Sequence, residues 1–322
     1  MTFARIAGTG GYLPERIITN AEMESIVDTT DAWIQERSGI RQRHIAADGE
    51  MTSHMATAAA RRAIEAAGVA NEDVDLIVVA TTTPDRVFPS VACMVQRDLG
   101  VKTIPAFDVH AACSGFVYAL DVANRFIQTD GARCALVIGA EVYSRILDWE
   151  DRSTCVLFGD GAGAVVLQAS DEPGILSTHA HSDGRFEDLL YVSAGPASGV
   201  EVLQKEGAYI RMKGSDVFRR AVATLESIAR ETLDGNGIDK HDLNWLVPHQ
   251  ANLRIIKATA KKLDMSMERV VVTVDQHANT SSASIPLALD VAIRDGRIKR
   301  GELLLLEAFG AGLTWGSALV RY

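Results

Sequence analysis

No stretch of this chain stays apolar for the roughly 18 residues that a membrane-crossing helix needs. The most apolar candidate, the run 303–306, is broken by Glu307 and then by glycines. The opening residues 1–11 hold no apolar core behind a basic stretch, so no secretory leader is expected. Cysteine is scarce, with four in 322 residues at positions 93, 113, 134 and 155 and no Cys-x-x-Cys pair. The natural setting is a reducing cytoplasm, with mostly buried or reactive free thiols. Positive charge is in deficit, 32 Lys and Arg against 42 Asp and Glu, for a net charge of −10. A nucleic-acid partner is therefore not expected.

What is present is an ordinary globular composition, 47% hydrophobic and 23% charged. The length suits two domains of roughly 150 residues, enough to bury a large core without metals or disulfides. Apolar runs over 75–80, 135–139, 164–167, 245–247 and 270–274 read as buried strands. Helical spacing predicts helices over 52–67 (stopping at Gly68), 114–128, 216–233, 252–263 and 284–295. Alternation of this kind predicts sheets covered by helices on their faces, an α/β architecture. The segment 178–210 lacks either period and reads as a surface excursion.

The chain also echoes itself. Ala119-Leu120-Asp121-Val122-Ala123 recurs as Ala288-Leu289-Asp290-Val291-Ala292, and 288 − 119 gives an offset of 169 residues. Each copy is followed by a polar helical stretch, a glycine (Gly131, Gly301), an apolar run and a Phe-Gly-x-Gly. Those are Phe158-Gly159-Asp160-Gly161 and Phe309-Gly310-Ala311-Gly312. We read this as a duplication, with one half over 1–170 carrying a candidate nucleophile and the other over 171–322.

That nucleophile is Cys113, in Ala111-Ala112-Cys113-Ser114-Gly115. An extended stretch leads into it and a helix leads out. At a helix N-terminus the free N–H groups and the dipole favour thiolate over thiol. Alone, such a cysteine is more often a buried structural residue, so other residues must carry the argument. His249 leaves an apolar strand and precedes a helix, a usual place for a site residue in α/β folds. Asn279, in His277-Ala278-Asn279-Thr280-Ser281, precedes another helix, and an N-cap amide is its simpler reading. In the duplicated frame position 282 is the counterpart of Cys113, three residues past Asn279. The two half-sites would then meet near a pseudo-twofold axis.

With these residues in view, the chain closely resembles the β-ketoacyl-acyl-carrier-protein synthase III family of the thiolase superfamily. The resemblance runs through Asp31-Ala32-Trp33-Ile34, Ser38-Gly39-Ile40-Arg41, Ala111 to Gly115, Phe158 to Gly163, Val247 to Asn252, Glu307 to Gly310 and Thr314 to Ala318. It implies a five-layered αβαβα fold and a catalytic triad of Cys113, His249 and Asn279. It also implies a decarboxylative condensation of acetyl-coenzyme A with malonyl-acyl-carrier protein through an acyl-cysteine, the opening step of fatty acid biosynthesis. Backbone N–H groups of Cys113 and Ala311 would form the oxyanion hole. No cofactor or metal is implied; coenzyme A arrives as a substrate thioester. Trp33 and Arg152 would sandwich its adenine, Arg37 would meet its phosphates, and Thr29 and Asn252 would help to hold it.

For the acidic carrier protein, the family places a docking patch at positions matching Arg219, Arg254 and Lys261. Lys257 shares the helix face with Arg254 and Lys261 by its spacing. Phe88 matches a residue that limits acyl length across a homodimer interface, and its bulk implies an acetyl primer. Two departures stand out: alanine occupies positions 278 and 311, where the family often has glycine, and their methyls would narrow the pocket slightly.

Other patterns lead nowhere. Gly159-x-Gly161-x-Gly163 precedes a strand, where a dinucleotide fingerprint would open a helix. His179-x-His181 with Asp183 lacks further metal ligands. Asn279-Thr280-Ser281 has no secretory context to make it a glycosylation site, and His110 reads as packing or as a support behind the site rather than a base. The rival activities are a cysteine hydrolase with the same Cys, His, Asn order, a non-catalytic carrier-binding module, and a related condensing enzyme using longer acyl-coenzyme A primers in secondary metabolism.

Overall fold

The computed structural model describes residues 2–322; Met1, which heads the stretch read for a leader, lies outside them. Every residue of Leu76–Ala80 and of Cys134–Glu141 is buried. Continuous apolar runs produce this, because a strand covered on both faces has no solvent side to alternate with. These two strands lie inside a five-stranded sheet ordered Phe3–Tyr12, Gly161–Ser170, Cys134–Glu141, Leu76–Ala80, Ala106–Val109. Its pairings run antiparallel, antiparallel, parallel, parallel.

A four-stranded sheet is ordered Ile175–Ser182, Thr314–Arg321, Leu303–Gly310, Trp245–Pro248. It runs antiparallel, antiparallel, parallel. Where a fifth strand would continue it, a single bridge joins Leu246 to Val270. The expected strand over 270–274 is thereby corrected. The N–H groups of Thr273 and Val274 donate to Gln250 Oε1, at 2.8 and 3.1 Å, instead of to a neighbouring strand. One helical turn, Val274–His277, follows at once. The irregular reading of 178–210 also needs correction. Thr178 to Ser182 belong to the edge strand, whose polar outer face hid its period, and Val200–Glu206 is a short helix.

Helices fall where the spacing placed them. Thr52–Ala67 ends on left-handed Gly68 (φ 66°), where any other residue would be strained. Leu253–Lys262 is capped by the Asn252 side chain, which accepts from Ile255 N at 2.9 Å. Gly115–Gln128 and Ser284–Arg294 lie between the sheets. Their apolar faces share one core with Leu76, Val78 and Val165 on one side and Leu304, Leu306 and Ala318 on the other. Thr52–Ala67 and Val91–Leu99 cover the outside of the first sheet. Gly214–Asn236 and Leu253–Lys262 cover the outside of the second. The layers are thus αβαβα, as the resemblance implied. Among the described residues no helix is long and apolar enough to cross a membrane.

The two buried helices begin alike. A 3-10 turn, Ala112–Ser114, leads into the first and another, Ser281–Ala283, into the second. Each turn opens on a residue with positive φ, Ala112 at 44° and Ser281 at 50°. The turns touch at the centre of the molecule, and everything that follows is built around them.

Candidate active site

One cavity is lined by Cys113, His249 and Asn279 together, with Asn252, Phe158 and Phe309 among its walls. The three polar residues are each buried, at 5%, 5% and 6% exposure. The structure therefore converges side chains that are up to 166 positions apart (279 − 113).

Cys113 sits in the 3-10 turn, two residues before the helix proper. The expected thiolate is not the resting form. Burial strips the sulfur of water and pushes its pKa up to about 12, with the Glu141 carboxyl adding to the rise. A hydrogen bond from Ser281 and the local backbone N–H oppose this without overcoming it.

His249 follows Trp245–Pro248, and its N–H donates to Glu307 O at 2.8 Å, so sheet pairing fixes its backbone. Burial lowers the imidazole to about pKa 3, so the ring is neutral at physiological pH. Its Nδ1 lies 2.6 Å from Ser284 Oγ. Asn279 is also held from its backbone: its N–H donates to Leu157 O at 2.9 Å and its carbonyl accepts from Gly159 N at 3.0 Å. Its side-chain Oδ1 accepts from Ser281 N at 2.9 Å. That leaves the Nδ2 group, a donor only, for the cavity.

The Phe-Gly dipeptides explain themselves here. Phe158-Gly159, from the first sheet's half, clasps Asn279. Phe309-Gly310, from the second, lies against Cys113: a Cβ on Gly310 would come within 2.8 Å of Cys113 N. Gly310 is required because backbone approaches backbone there, and a Cβ on Gly159 would be crowded by His277 O at 3.0 Å. Ala311 is the next residue, though it is not among the cavity walls.

Beneath the site is a buried polar cluster that sequence reasoning missed. Glu141 accepts from Thr83 Oγ1 at 2.8 Å, Thr82 N at 3.0 Å and Ser282 Oγ at 2.9 Å. Tyr143 Oη lies 2.8 Å from Ser281 Oγ. The cluster pins the 281–282 turn to the first sheet. Scattered serines and threonines give no sequence signal; the one available pointer was the duplicated frame, which sets Ser281 opposite Ala112.

The outer residues are placed as follows. The Arg152 guanidinium lies over the Trp33 ring, 4.9 Å from its centroid, and donates to Asp28 O. A base entering between them must part the pair. Thr29 Oγ1 is buried without a hydrogen-bond partner, and Arg37 is exposed. Arg219, Arg254, Lys257 and Lys261 are all exposed; Arg219 pairs with Asp216 and Arg254 lies over Phe218. Phe88 is 81% exposed and outside the cavity of this chain. His110 is exposed, which corrects the packing reading.

The Ala278 methyl does not narrow the pocket: it packs into the core behind the site. Its backbone, at φ 57° and ψ −162°, explains the glycine preference, since a Cβ is strained there. We expect Ala278→Gly to raise stability by about 1 kcal/mol, the strain relieved less the methyl burial lost. Denaturant melts would check this, and a lower midpoint would show that packing outweighs strain.

The chain as a whole is similar to known proteins. Residues 107–184 match the family described as 3-oxoacyl-[acyl-carrier-protein (ACP)] synthase III, and residues 233–322 match its C-terminal part. The β-ketoacyl-[acyl-carrier-protein] synthase III of Thioalkalivibrio sulfidiphilus is 63% identical over 322 residues, covering 100% of both chains. The crystal structure of 3-oxoacyl-[acyl-carrier-protein] synthase III from Aquifex aeolicus VF5 superposes with a TM-score of 0.93 at 48% identity, covering 99% of this chain and 100% of that one. The priming β-ketosynthase of the R1128 polyketide pathway gives 0.95 at 40% identity, over 99% and 96%. With likeness of this degree from end to end, the chain belongs to the β-ketoacyl-[acyl-carrier-protein] synthase III family.

Proposed function

We propose that this enzyme condenses acetyl-coenzyme A with malonyl-acyl-carrier protein, by way of an acetyl thioester on Cys113, and so begins fatty acid synthesis. The observation that carries the reading is the single cavity shared by a buried thiol, a neutral imidazole and an amide whose oxygen is already engaged.

In the first step Cys113 Sγ attacks the acetyl carbonyl. A new C–S bond forms, the bond to coenzyme A breaks, and the thiol proton leaves with the coenzyme A sulfur. The Cys113 and Ala311 N–H groups stabilise the oxyanion. In the second step the malonyl thioester loses CO2. The enolate oxygen accepts from His249 and Asn279, and the enolate carbon displaces Cys113 from the acetyl group. One proton is taken up to restore the thiol. A neutral histidine suits this role: it stabilises charge as a donor and need not act as a strong base.

Coenzyme A would lie between Trp33 and Arg152 with Arg37 on its phosphates and Thr29 and Asn252 beside it; guanidinium planes both stack and fork onto phosphate. The exposed Arg254, Lys257 and Lys261, with Arg219 on the neighbouring helix, would receive the carrier protein. Arg254→Glu is expected to cut use of malonyl-carrier protein about tenfold, the size of effect a charge reversal at a docking rim produces. Use of a small malonyl thioester should be spared, and equal loss with both would remove the docking role.

Phe88 and neighbouring Val87, 71% exposed, would be covered in a cytoplasmic homodimer, where Phe88 could bound the partner's acyl pocket. The two halves, 1–170 and 171–322, are read as a duplication on their shared order of pairings. Likeness to the R1128 priming ketosynthase supports a second reading, longer primers in secondary metabolism. Incubation with malonyl-carrier protein and a length series of acyl-coenzyme A primers tests both. Acetoacetyl-carrier protein as the main product supports the first, longer products the second, and thioester loss without carbon–carbon bond formation neither.

A further inference from the structure

We infer that Ser284 is a positioning residue that fixes the tautomer of His249, holding its proton on Nε2. The inference rests on reading His249 as a hydrogen-bond donor to the enolate.

The geometry is an accounting problem with few terms. Ser284 opens the helix Ser284–Arg294 and is 2% exposed, so water cannot complete its hydrogen bonding. Its Oγ has two neighbours among the described residues: Gln250 N at 3.2 Å and His249 Nδ1 at 2.6 Å. The Gln250 group is a backbone N–H and can only donate, so it occupies one Oγ lone pair. The hydroxyl proton then needs an acceptor, and Nδ1 is the one available. A hydroxyl donating to Nδ1 requires that nitrogen to carry no hydrogen. Since the ring is neutral, its one N–H is on Nε2.

The opposite tautomer leaves two donors, Nδ1–H and Gln250 N–H, both aimed at Oγ. The serine proton would then be buried without a partner, an arrangement folded proteins avoid. Among the described residues Nε2 has no protein partner, while the ring itself lines the cavity. The Ser284-directed tautomer therefore turns a donor to the substrate side. The other would turn a lone pair there, which repels an enolate oxygen.

Gln250 keeps the device rigid. Its side-chain Nε2 donates to Pro248 O at 2.8 Å and to Val271 O at 3.1 Å, and its Oε1 accepts from Thr273 N and Val274 N. The peptide that orients Ser284 is thus locked on both sides. In the duplicated frame position 284 is the counterpart of Gly115 (115 + 169), so the hydroxyl is present only in the half that carries the histidine.

The test begins with the wild-type enzyme labelled with 15N in its histidine rings. Ring couplings of His249, assigned by loss of its signals in His249→Ala, should show the hydrogen on Nε2. A hydrogen on Nδ1 overturns the inference whatever the activity. In Ser284→Ala the Nε2–H signature should weaken. The kcat for CO2 release from a malonyl thioester on acetylated enzyme should drop on the order of a hundredfold, with KM little changed. Acetyl loading of Cys113 should persist, which shows that the variant is folded. Ser284→Thr, keeping the hydroxyl, should restore the Nε2–H signature. Unchanged CO2 release in Ser284→Ala overturns the role. If instead His249→Ala itself released CO2 normally, the donor reading of His249 would fail, a result separable from the tautomer measured in the wild type.

Discussion

Cys113→Ala should form no carbon–carbon bond, while CO2 release from the malonyl thioester continues. The expected loss of condensation is on the order of a millionfold, as for deletion of other covalent nucleophiles. The two results should diverge because the proposed steps fall to different side chains on different elements. Cys113 stands on the turn before Gly115–Gln128, whereas His249 and Asn279 are held by sheet pairing and by the Phe158-Gly159 clasp. Removing the sulfur leaves both donors in place. Radiolabelled acetyl-coenzyme A would report loading, and trapped CO2 the decarboxylation. Loss of both together would mean that the sulfur supports the donors, contrary to this assignment. A companion measurement concerns the resting thiol. With its pKa pushed up to about 12, the thiolate fraction grows tenfold per pH unit across neutrality. Alkylation of Cys113 should accordingly keep accelerating up to pH 9 and beyond; a plateau near pH 7 would show a thiolate already formed.

His249→Ala should produce the reverse pattern, normal acetyl loading and a condensation rate down by roughly a hundredfold to a thousandfold, about 3–4 kcal/mol. The donor is lost where charge develops, in a buried cavity where water is a poor replacement. The pH dependence carries an independent check. Burial lowers the histidine from its usual range to about 3, so the ring stays neutral at every pH above that. The condensation step should therefore show no imidazole ionisation between pH 5 and 8. A rate falling below pH 6.5 with the slope of a single protonation would assign a titrating histidine to the site. The same shift has a stability consequence. The unfolded chain binds a proton near pH 6.5 that the folded ring refuses until about pH 3. Stability from this group is full above 6.5 and drains as pH falls through that window.

Much of this was legible in residue order. Continuous burial made strands such as Leu76–Ala80 plain, and Gly68 marked a helix end because a left-handed residue is a local requirement. Cys113 and His249 could be singled out because each lies where an extended segment gives way to a helix, and Asn279 because it shortly precedes the second buried helix. What stayed hidden was set by tertiary contact. The 270–274 run has strand composition, yet after Val271, which still donates to Leu246 O, a glutamine side chain takes the N–H groups of Thr273 and Val274. The 178–182 strand is polar because one of its faces meets water. The helix dipole argued for a thiolate, but how deeply the sulfur is buried could not be seen in one dimension. Ser284, Gln250 and Glu141 belong to residue types too common to be noticed until packing places them around the site.

The crossed Phe-Gly clasps have one more implication. Each lobe supplies the brace for the reactive group of the other, so neither lobe holds a finished workshop. A gene split near position 172 would yield two products that must find each other before either can act. Substitutions that loosen one brace would be answered, over generations, by changes in the opposite lobe. The exchange of supports between the two lobes makes them inseparable.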